Sequence, residues 1–408
     1  MTRITVVETD GSGGLVHYAY QLATALQRCG ADVTLLTAPH YELADLPHEF
    51  AVETTVPMWP TTEAEPAWTR RLPSMLDAVR LKVRRAWRAA RFVLAWRHIT
   101  RRILEQRPDV AQFSIIRFPF QVWFLRRLRR AGITLTQVCH EFEPRESGRF
   151  GRFAARRLGQ GVYGEFDAIF FLGHAVRDTF LEEFPGVPAD RCHVIPHGDE
   201  SLFLQAADAG GDRRAHYGIP ADSPVVGFFG GLRPSKGVDD LIDAFAAVRE
   251  EVRDARLLIA GHPTDVDPDA FRARATELGL GEVVVVDDRY VPIEEVGPLL
   301  RTVDVVALPY RSGTASGALQ VAYAFERPVV AADVGSVAEA VVEGETGLVV
   351  PPRDPDALGR ALVKLLADRA ESTRMGIAGR RHAARAHAWE PIAGQVLAVS
   401  VDAAGGTS

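Results

Sequence analysis

A strand that runs into a glycine-dense turn and then a helix occurs twice in this chain, near residue 4 and again near residue 224. Ile4-Thr5-Val6-Val7 leads into Gly11-Ser12-Gly13-Gly14. Leu15, Tyr18, Leu22 and Leu26 then recur at helical spacing until Gly30, and Asp32–Leu36 reads as the next strand. Right-handed crossover makes the two strands of such a unit parallel. The pattern restarts with the strand Pro224 to Gly230, a second glycine turn and a helix bearing Leu241, Ile242, Phe245 and Val248. Further strands are expected at 110–113, 135–138, 168–171 and 192–195, then at 256–260, 283–286, 303–308 and 328–331. Their unbroken apolar runs suit parallel strands buried on both faces.

The expected fold class is therefore α/β, with two doubly wound Rossmann-like domains facing a cleft. Length agrees, because 408 residues exceed what one core usually holds. The expected division is an N-terminal domain over 1–199, a C-terminal domain over 200–385 and a closing helix over 386–402 that crosses back to the first. The polar, glycine-rich stretch 198–211 marks the boundary. Three cysteines without metal-ligand spacing point to a reduced, cytoplasmic chain, and the start MTRITVVETD lacks a signal-peptide core.

Two glycine turns at strand ends suggest phosphate or nucleotide handling, because N–H groups at a helix start attract anions. The first turn lacks the G-x-G-x-x-G fingerprint, and no carboxylate ends the second strand, so a dehydrogenase is disfavoured. No Walker lysine is present either. In the second half, Gly230-Gly231-Leu232-Arg233-Pro234-Ser235-Lys236-Gly237 places two cations just past a strand end. Pro309 to Gln320 leads from another strand end into a helix through small residues. Cation on one side and helix N-terminus on the other suit a diphosphate.

GLRPSKGVDDLIDAF, LLIAGHP, ALPYRSGTASGALQVAYAFERPVVAADVGSVAE and GETGLVVPPRDPDAL resemble the family 4 glycosyltransferases of the GT-B fold. GSGG, CHEF (Cys139 to Phe142) and VIPHGD (Val194 to Asp199) occupy the matching places in the first half. The resemblance implies a retaining transferase that uses a UDP- or GDP-linked sugar, with no metal and no other cofactor. It assigns Arg233 and Lys236 to the donor diphosphate and the backbone of Ser316, Gly317, Ala318 and Leu319 to phosphate oxygens, with Thr314 beside them. Tyr290 and Val291 would border the nucleobase, Gly13 and Gly14 would close over the reacting centre, and His140 would sit near the transferred sugar. His140, Arg233 and Lys236 are the catalytic candidates. The family's two glutamates, eight positions apart, fall on Gly313 and Val321 here, and its usual arginine falls on Gly231, two positions before Arg233.

Plainer readings stand beside these. Gly13 and Gly14 serve any tight turn, Lys236 could be solvated, and a strand-end histidine such as His140, His197 or His262 is often a hydrogen-bonded core residue. Glu141 and Glu143 receive no role. The segment Leu72–Arg102 stands apart, with Leu72, Leu76, Val79, Val83, Trp87, Ala90 and Leu94 at helical spacing among Arg80, Lys82, Arg84, Arg85, Arg88 and Arg91. Such a helix can lie on an anionic membrane surface, dock an acidic partner, or pack its stripe on its own domain. The first 200 residues carry 26 Lys+Arg against 23 Asp+Glu, and the remaining 208 carry 21 against 30. The overall reading is a hexosyltransferase acting on an unidentified small, lipid-linked or carrier-bound acceptor, cytoplasmic or peripheral at the membrane, with no nucleic-acid partner. A nucleotide-sugar epimerase, a phosphorylase and a non-catalytic sugar-nucleotide-binding protein are the alternatives.

Overall fold

In a computed structural model of the chain, the described residues are 1–57, 77–116, 118–142, 159–206 and 210–405; within the helix over 77–106, side chains are described for 87 and from 89 onward. Leu72, Leu76 and Glu143 lie outside the described residues, as do the side chains of Val79, Arg80, Lys82, Val83, Arg84, Arg85 and Arg88. Two compact units form: Met1–Phe171 with Arg177–Ile195 and Trp389–Ser408, and Leu172–Val176 with Pro196–Ala388.

The first unit contains β1 (Arg3–Val7), α1 (Gly14–Arg28), β2 (Asp32–Leu36), β3 (Ala51–Glu53), α2 (Asp77–Gln106), β4 (Val110–Phe113), α3 (Val122–Arg130), β5 (Thr134–Cys139) and β6 (Ala168–Phe171). After α4 (His174–Glu183), whose first residues fall in the second unit, comes β7 (Cys192–Val194). Its sheet runs β3-β2-β1-β4-β5-β6-β7. Every pairing is parallel, with Val6 opposite both Leu35 and Gln112.

The second unit begins with α5 (Leu202–Ala206), then β8 (Val225–Phe229), α6 (Val238–Glu251), β9 (Arg256–Ala260), α7 (Pro268–Glu277), β10 (Val284–Asp287), α8 (Ile293–Thr302) and β11 (Val305–Leu308). It continues through α9 (Gly317–Ala324), β12 (Val329–Ala332), β13 (Gly347–Val350), α10 (Pro355–Ala367) and α11 (Arg369–Ala386). The sheet order is β10-β9-β8-β11-β12-β13, again all parallel. In each sheet the order reverses beside the first strand, between β1 and β4 and between β8 and β11. Open α/β sheets bind ligands at the carboxyl ends flanking such a reversal. Both glycine turns leave the sheets there.

The last helix, α12 (Trp389–Gly405), belongs to the first unit. Ile392, Ala393 and Val396 are buried, and the Trp389 ring meets Tyr18 of α1 edge-on, with centroids 4.9 Å apart. Position 227 shows how tightly the strands and loops pack. A Cβ there would lie 2.4 Å from Val303 Cγ2, so only glycine fits in β8.

α2 differs from the reading in which its sequence-level stripe packs on the domain. Ala95, Trp96, Ile99 and Ile103 are buried, whereas Ala90 and Leu94 face solvent. The stripe through Trp87, Ala90 and Leu94 is offset from Trp96 by about half a turn, so the core takes the opposite side of the helix.

Truncating Ile392 to Ala should destabilise the first unit by about 2–5 kcal/mol, because a fully packed site cannot collapse around the lost methylenes. Urea unfolding of Ile392→Ala beside the parent chain measures this, and a loss below about 0.5 kcal/mol would mean that α12 is not part of that core.

Candidate functional site

In the second unit, two loops at the sheet reversal are joined into one piece. The loop after β8 turns through a short 3-10 segment, Pro234–Lys236, and ends at Gly237 with φ 63°. That left-handed conformation favours glycine, and a Cβ would lie 2.1 Å from the carbonyl oxygen of Pro309 in the loop after β11, so no side chain fits here. The Arg311 N–H donates to the Ser235 carbonyl at 2.8 Å. The Arg311 guanidinium grips Asp240 through Nε at 2.7 Å and Nη2 at 2.6 Å, and Nη2 also reaches Asp239 at 2.6 Å. Hydrogen bonding to Asp240, then to Asp239, pushes Arg311 further up from its already high pKa. Arg311 thus serves the scaffold, and Lys236 and Arg233 remain as the cations of the turn.

Lys236 lies against that scaffold. Its Nζ sits 3.6 Å from the centroid of the buried Tyr310 ring. The Tyr310 hydroxyl is 3.0 Å from Ser316 Oγ, and Ser316 caps α9 by accepting the Leu319 N–H at 3.2 Å. A chain of contacts therefore runs from the ammonium to the start of α9. The Gly317 and Ala318 N–H groups belong to the helix's first turn, where no intrahelical acceptor exists. The Thr314 carbonyl accepts the Ser336 N–H at 2.9 Å, tying the same loop to the segment after β12. A Cβ built on Gly231 would lie 3.9 Å from Arg233 Nε, so the Arg233 side chain lies beside position 231.

Gly313 is exposed and Val321 is buried within α9, so neither position offers a carboxylate. A buried acid stands nearby instead. Glu200 Oε1 and His197 Nε2 lie 3.6 and 3.7 Å from where a Gly317 Cβ would be. His197 Nδ1 is 2.9 Å from the Gly198 carbonyl, and the His197 carbonyl meets His387 Nδ1 at 2.6 Å. Desolvation pushes the His197 imidazole down to about 4, so it is neutral at pH 7. Tyr290 and Val291 follow β10, two strands from β8 along the same carboxyl edge. Val291 is buried and Tyr290 half-buried, and Arg289 beside them is held by Asp287 at 3.1 Å and Glu295 at 2.5 Å.

In the first unit, Gly13 caps α1 with φ 89°. Its N–H donates to Glu42 Oε1 at 2.7 Å, and the same oxygen lies 2.5 Å from His17 Nε2. α1 has no acid in its first turn, and Glu42 supplies the negative charge that a helix N-terminus favours. Tyr18, one turn beyond Gly14, meets the His140 ring edge-on at 4.6 Å between centroids. The glycine turn and His140 thus border one corner of this unit. Among the described residues, no three of His, Cys, Asp or Glu gather as a metal-holding group.

Two family models match the chain, "Glycosyl transferase 4-like domain" over 13–198 and "Glycosyl transferases group 1" over 223–368. A D-inositol 3-phosphate glycosyltransferase of Corynebacterium glutamicum is 37% identical over 294 residues, 69% of each chain. This chain belongs to the family 4 glycosyltransferases. A GDP-mannose-dependent alpha-(1-6)-phosphatidylinositol monomannoside mannosyltransferase of Mycolicibacterium smegmatis is 35% identical over 57% of this chain and 60% of its own. The GT-B fold is shared with Anabaena HepE, solved with UDP and glucose, at TM-score 0.71 and 19% identity over 98% and 100% of the two chains. Sucrose-phosphate synthase from Thermosynechococcus elongatus has a TM-score of 0.70 at 20% identity over 98% and 99%.

Sequence reading of this glycosyltransferase missed Glu42, Glu200 and the role of Arg311. Glu200 directly follows the VIPHGD stretch, which was the available signal; Glu42 and the Arg311 pairs are tertiary contacts that no local spacing encodes. Replacing Arg311 with Met should cost about 1–3 kcal/mol, the usual range when hydrogen bonds to charged groups are lost. Arg311→Lys should recover only part, because an ammonium cannot grip both Asp240 oxygens in one plane. Thermal and urea unfolding compare the three chains; an unchanged midpoint for Arg311→Met would remove the ion pairs from the scaffold.

Proposed function

We propose that the chain is a retaining hexosyltransferase that takes its sugar from a UDP- or GDP-linked donor held by the second unit. The observation that carries this reading is the Lys236 ammonium held over Tyr310, whose hydroxyl contacts the cap of α9. As the nucleotide diphosphate departs, positive charge grows at the anomeric carbon and negative charge on the phosphates. Preorganised cations and N–H donors that meet the growing charge lower the barrier most. Lys236, Arg233 and the N–H groups of Gly317 and Ala318 are assigned to that task. Leu319 supports it indirectly, since its N–H already goes to Ser316. Tyr290 and Val291 are assigned to the nucleobase, and Thr314 to the wall of the phosphate site. On the first unit, the Gly13-Gly14 turn and His140 are assigned to the transferred sugar.

The donor class draws support from relatives named for GDP-mannose and from a fold neighbour solved with UDP and glucose. Several relatives are named for D-inositol 3-phosphate, which makes a phosphorylated inositol the first acceptor to test. Retention is taken from family membership. Proton NMR of the product's anomeric centre tests it directly, and an inverted product would reject it.

Removing one preorganised donor of this kind typically costs about 2.7–4 kcal/mol, or roughly 10²–10³ in rate. Lys236→Ala should lose that much in kcat/KM with little change in melting temperature, because its side chain contributes a ring contact worth about 0.5–1 kcal/mol. Binding of UDP or GDP, followed by calorimetry in chelator, should persist for the parent chain and weaken for the variant. Near-normal kcat/KM in Lys236→Ala, or binding that requires magnesium, would contradict the assignment.

A further inference from the structure

We propose that Glu200 and His197 of the second unit accept hydroxyl groups of the nucleotide-sugar donor, from its hexose or its ribose, and so help to select that donor. The proposal rests on the placement of the diphosphate between Lys236 and the start of α9.

Two kinds of group stand side by side at the start of α9. The Gly317 and Ala318 N–H groups lie in the first turn and can only donate. Glu200 Oε1 and His197 Nε2 come from a different segment and lie 3.6 and 3.7 Å from where a Gly317 Cβ would be. Gly317 itself carries no side chain to fill the space between them. His197 Nδ1 is 2.9 Å from the Gly198 carbonyl, which can only accept, so the ring proton is on Nδ1. Desolvation keeps this imidazole neutral at pH 7, and its Nε2 therefore presents a lone pair. An ionised carboxyl group likewise only accepts. The phosphate-binding donors of α9 thus have a pair of hydrogen-bond acceptors as neighbours.

These acceptors are held in place by the protein. The His387 Nδ1–H donates to the His197 carbonyl at 2.6 Å, and the Asp199 N–H donates to the His387 carbonyl at 2.8 Å. The Phe203 N–H donates to the Glu200 carbonyl at 3.1 Å, and Leu202 and Phe203 are buried at the head of α5. Glu200 is itself only 2% exposed. An acid set beside a diphosphate repels it, so Glu200 opposes binding unless the ligand also brings hydrogen-bond donors. The phosphates of a nucleotide sugar carry none, whereas hydroxyl groups flank them on both sides, on the hexose and on the ribose. The nucleobase has N–H groups too, but it is assigned to Tyr290 and Val291 after β10. That strand lies three places from β11 in the sheet, or about 14 Å at the usual strand spacing. Hydroxyl donors are therefore the groups that suit this pair.

The test is calorimetry of UDP, GDP, UDP-glucose and GDP-mannose on the full parent chain and on Glu200→Gln, which keeps the side chain's shape and removes its charge. A contact to the hexose should make the variant bind the preferred nucleotide sugar roughly tenfold or more weakly, the scale of a lost hydrogen bond to a charged group. The bare nucleotide should then bind as well as before, or better, because repulsion is relieved. A contact to the ribose should weaken the bare nucleotide by the same factor. Donors lacking one hydroxyl give an answer that does not depend on how well the variant folds. The parent chain should lose roughly tenfold or more when one particular hexose or ribose hydroxyl is removed. Glu200→Gln should be nearly indifferent to that same removal, because the partner is already gone. Unchanged binding of nucleotide and nucleotide sugar by Glu200→Gln would overturn the proposal, as would a parent chain indifferent to every missing hydroxyl or a loss equal in both chains. Nucleotide binding that depends on Lys236 would survive those results, so the two readings fail separately. A parent chain that binds neither UDP nor GDP would overturn both.

Discussion

The Arg311–Asp240 ion pair holds together the two loops of the second unit to which we assign the donor diphosphate. Two loops at the sheet reversal of the second unit come from strands far apart in sequence, β8 and β11. Without a fixed relation between them, a cation on one and a helix N-terminus on the other would make no common anion site. Arg311 joins them from both ends, its N–H to Ser235 and its guanidinium to Asp239 and Asp240. Gly237 then lets the backbones come close enough that a Cβ would strike Pro309. Fixed donors are worth more to catalysis than mobile ones, because they need not reorganise as charge develops.

Much of this framework is written locally. The runs at 32–36, 110–113, 168–171 and 256–260 form strands with those bounds, because an unbroken apolar stretch between helices has one way to bury both faces. β3 (Ala51–Glu53) has three residues at a sheet edge, too few to show a pattern. β13 (Gly347–Val350) was read as motif, not strand. At the site, glycine turns and strand-end cations are visible as sequence, but what holds them is not. Asp240 reads as an ordinary acid in the first turn of a helix, and Tyr310 as one more core aromatic. Glu42 reaches Gly13 across 29 residues, a distance at which spacing carries no information.

α2 shows the same limit from another side. Helical periodicity found its apolar stripe, yet periodicity reports only that a face is apolar. Whether the domain or something outside it covers that face is decided by which residues the sheet contacts. Trp96, Ile99 and Ile103 win that contact, leaving Leu94 outward. Positions 313 and 321, where the resemblance would put two glutamates, have a comparable lesson: Val321 is core, and an acid beside the start of α9, Glu200, comes from a different segment.

The most direct measurement is a crystal structure of the chain grown with UDP or GDP in chelator. The account predicts phosphate oxygens within about 3 Å of Lys236 Nζ and of the Gly317 or Ala318 N–H, with the Gly237–Pro309 contact and the Arg311 pairs unchanged. A nucleotide bound elsewhere, with the Lys236 ammonium still resting on the Tyr310 ring, would contradict it.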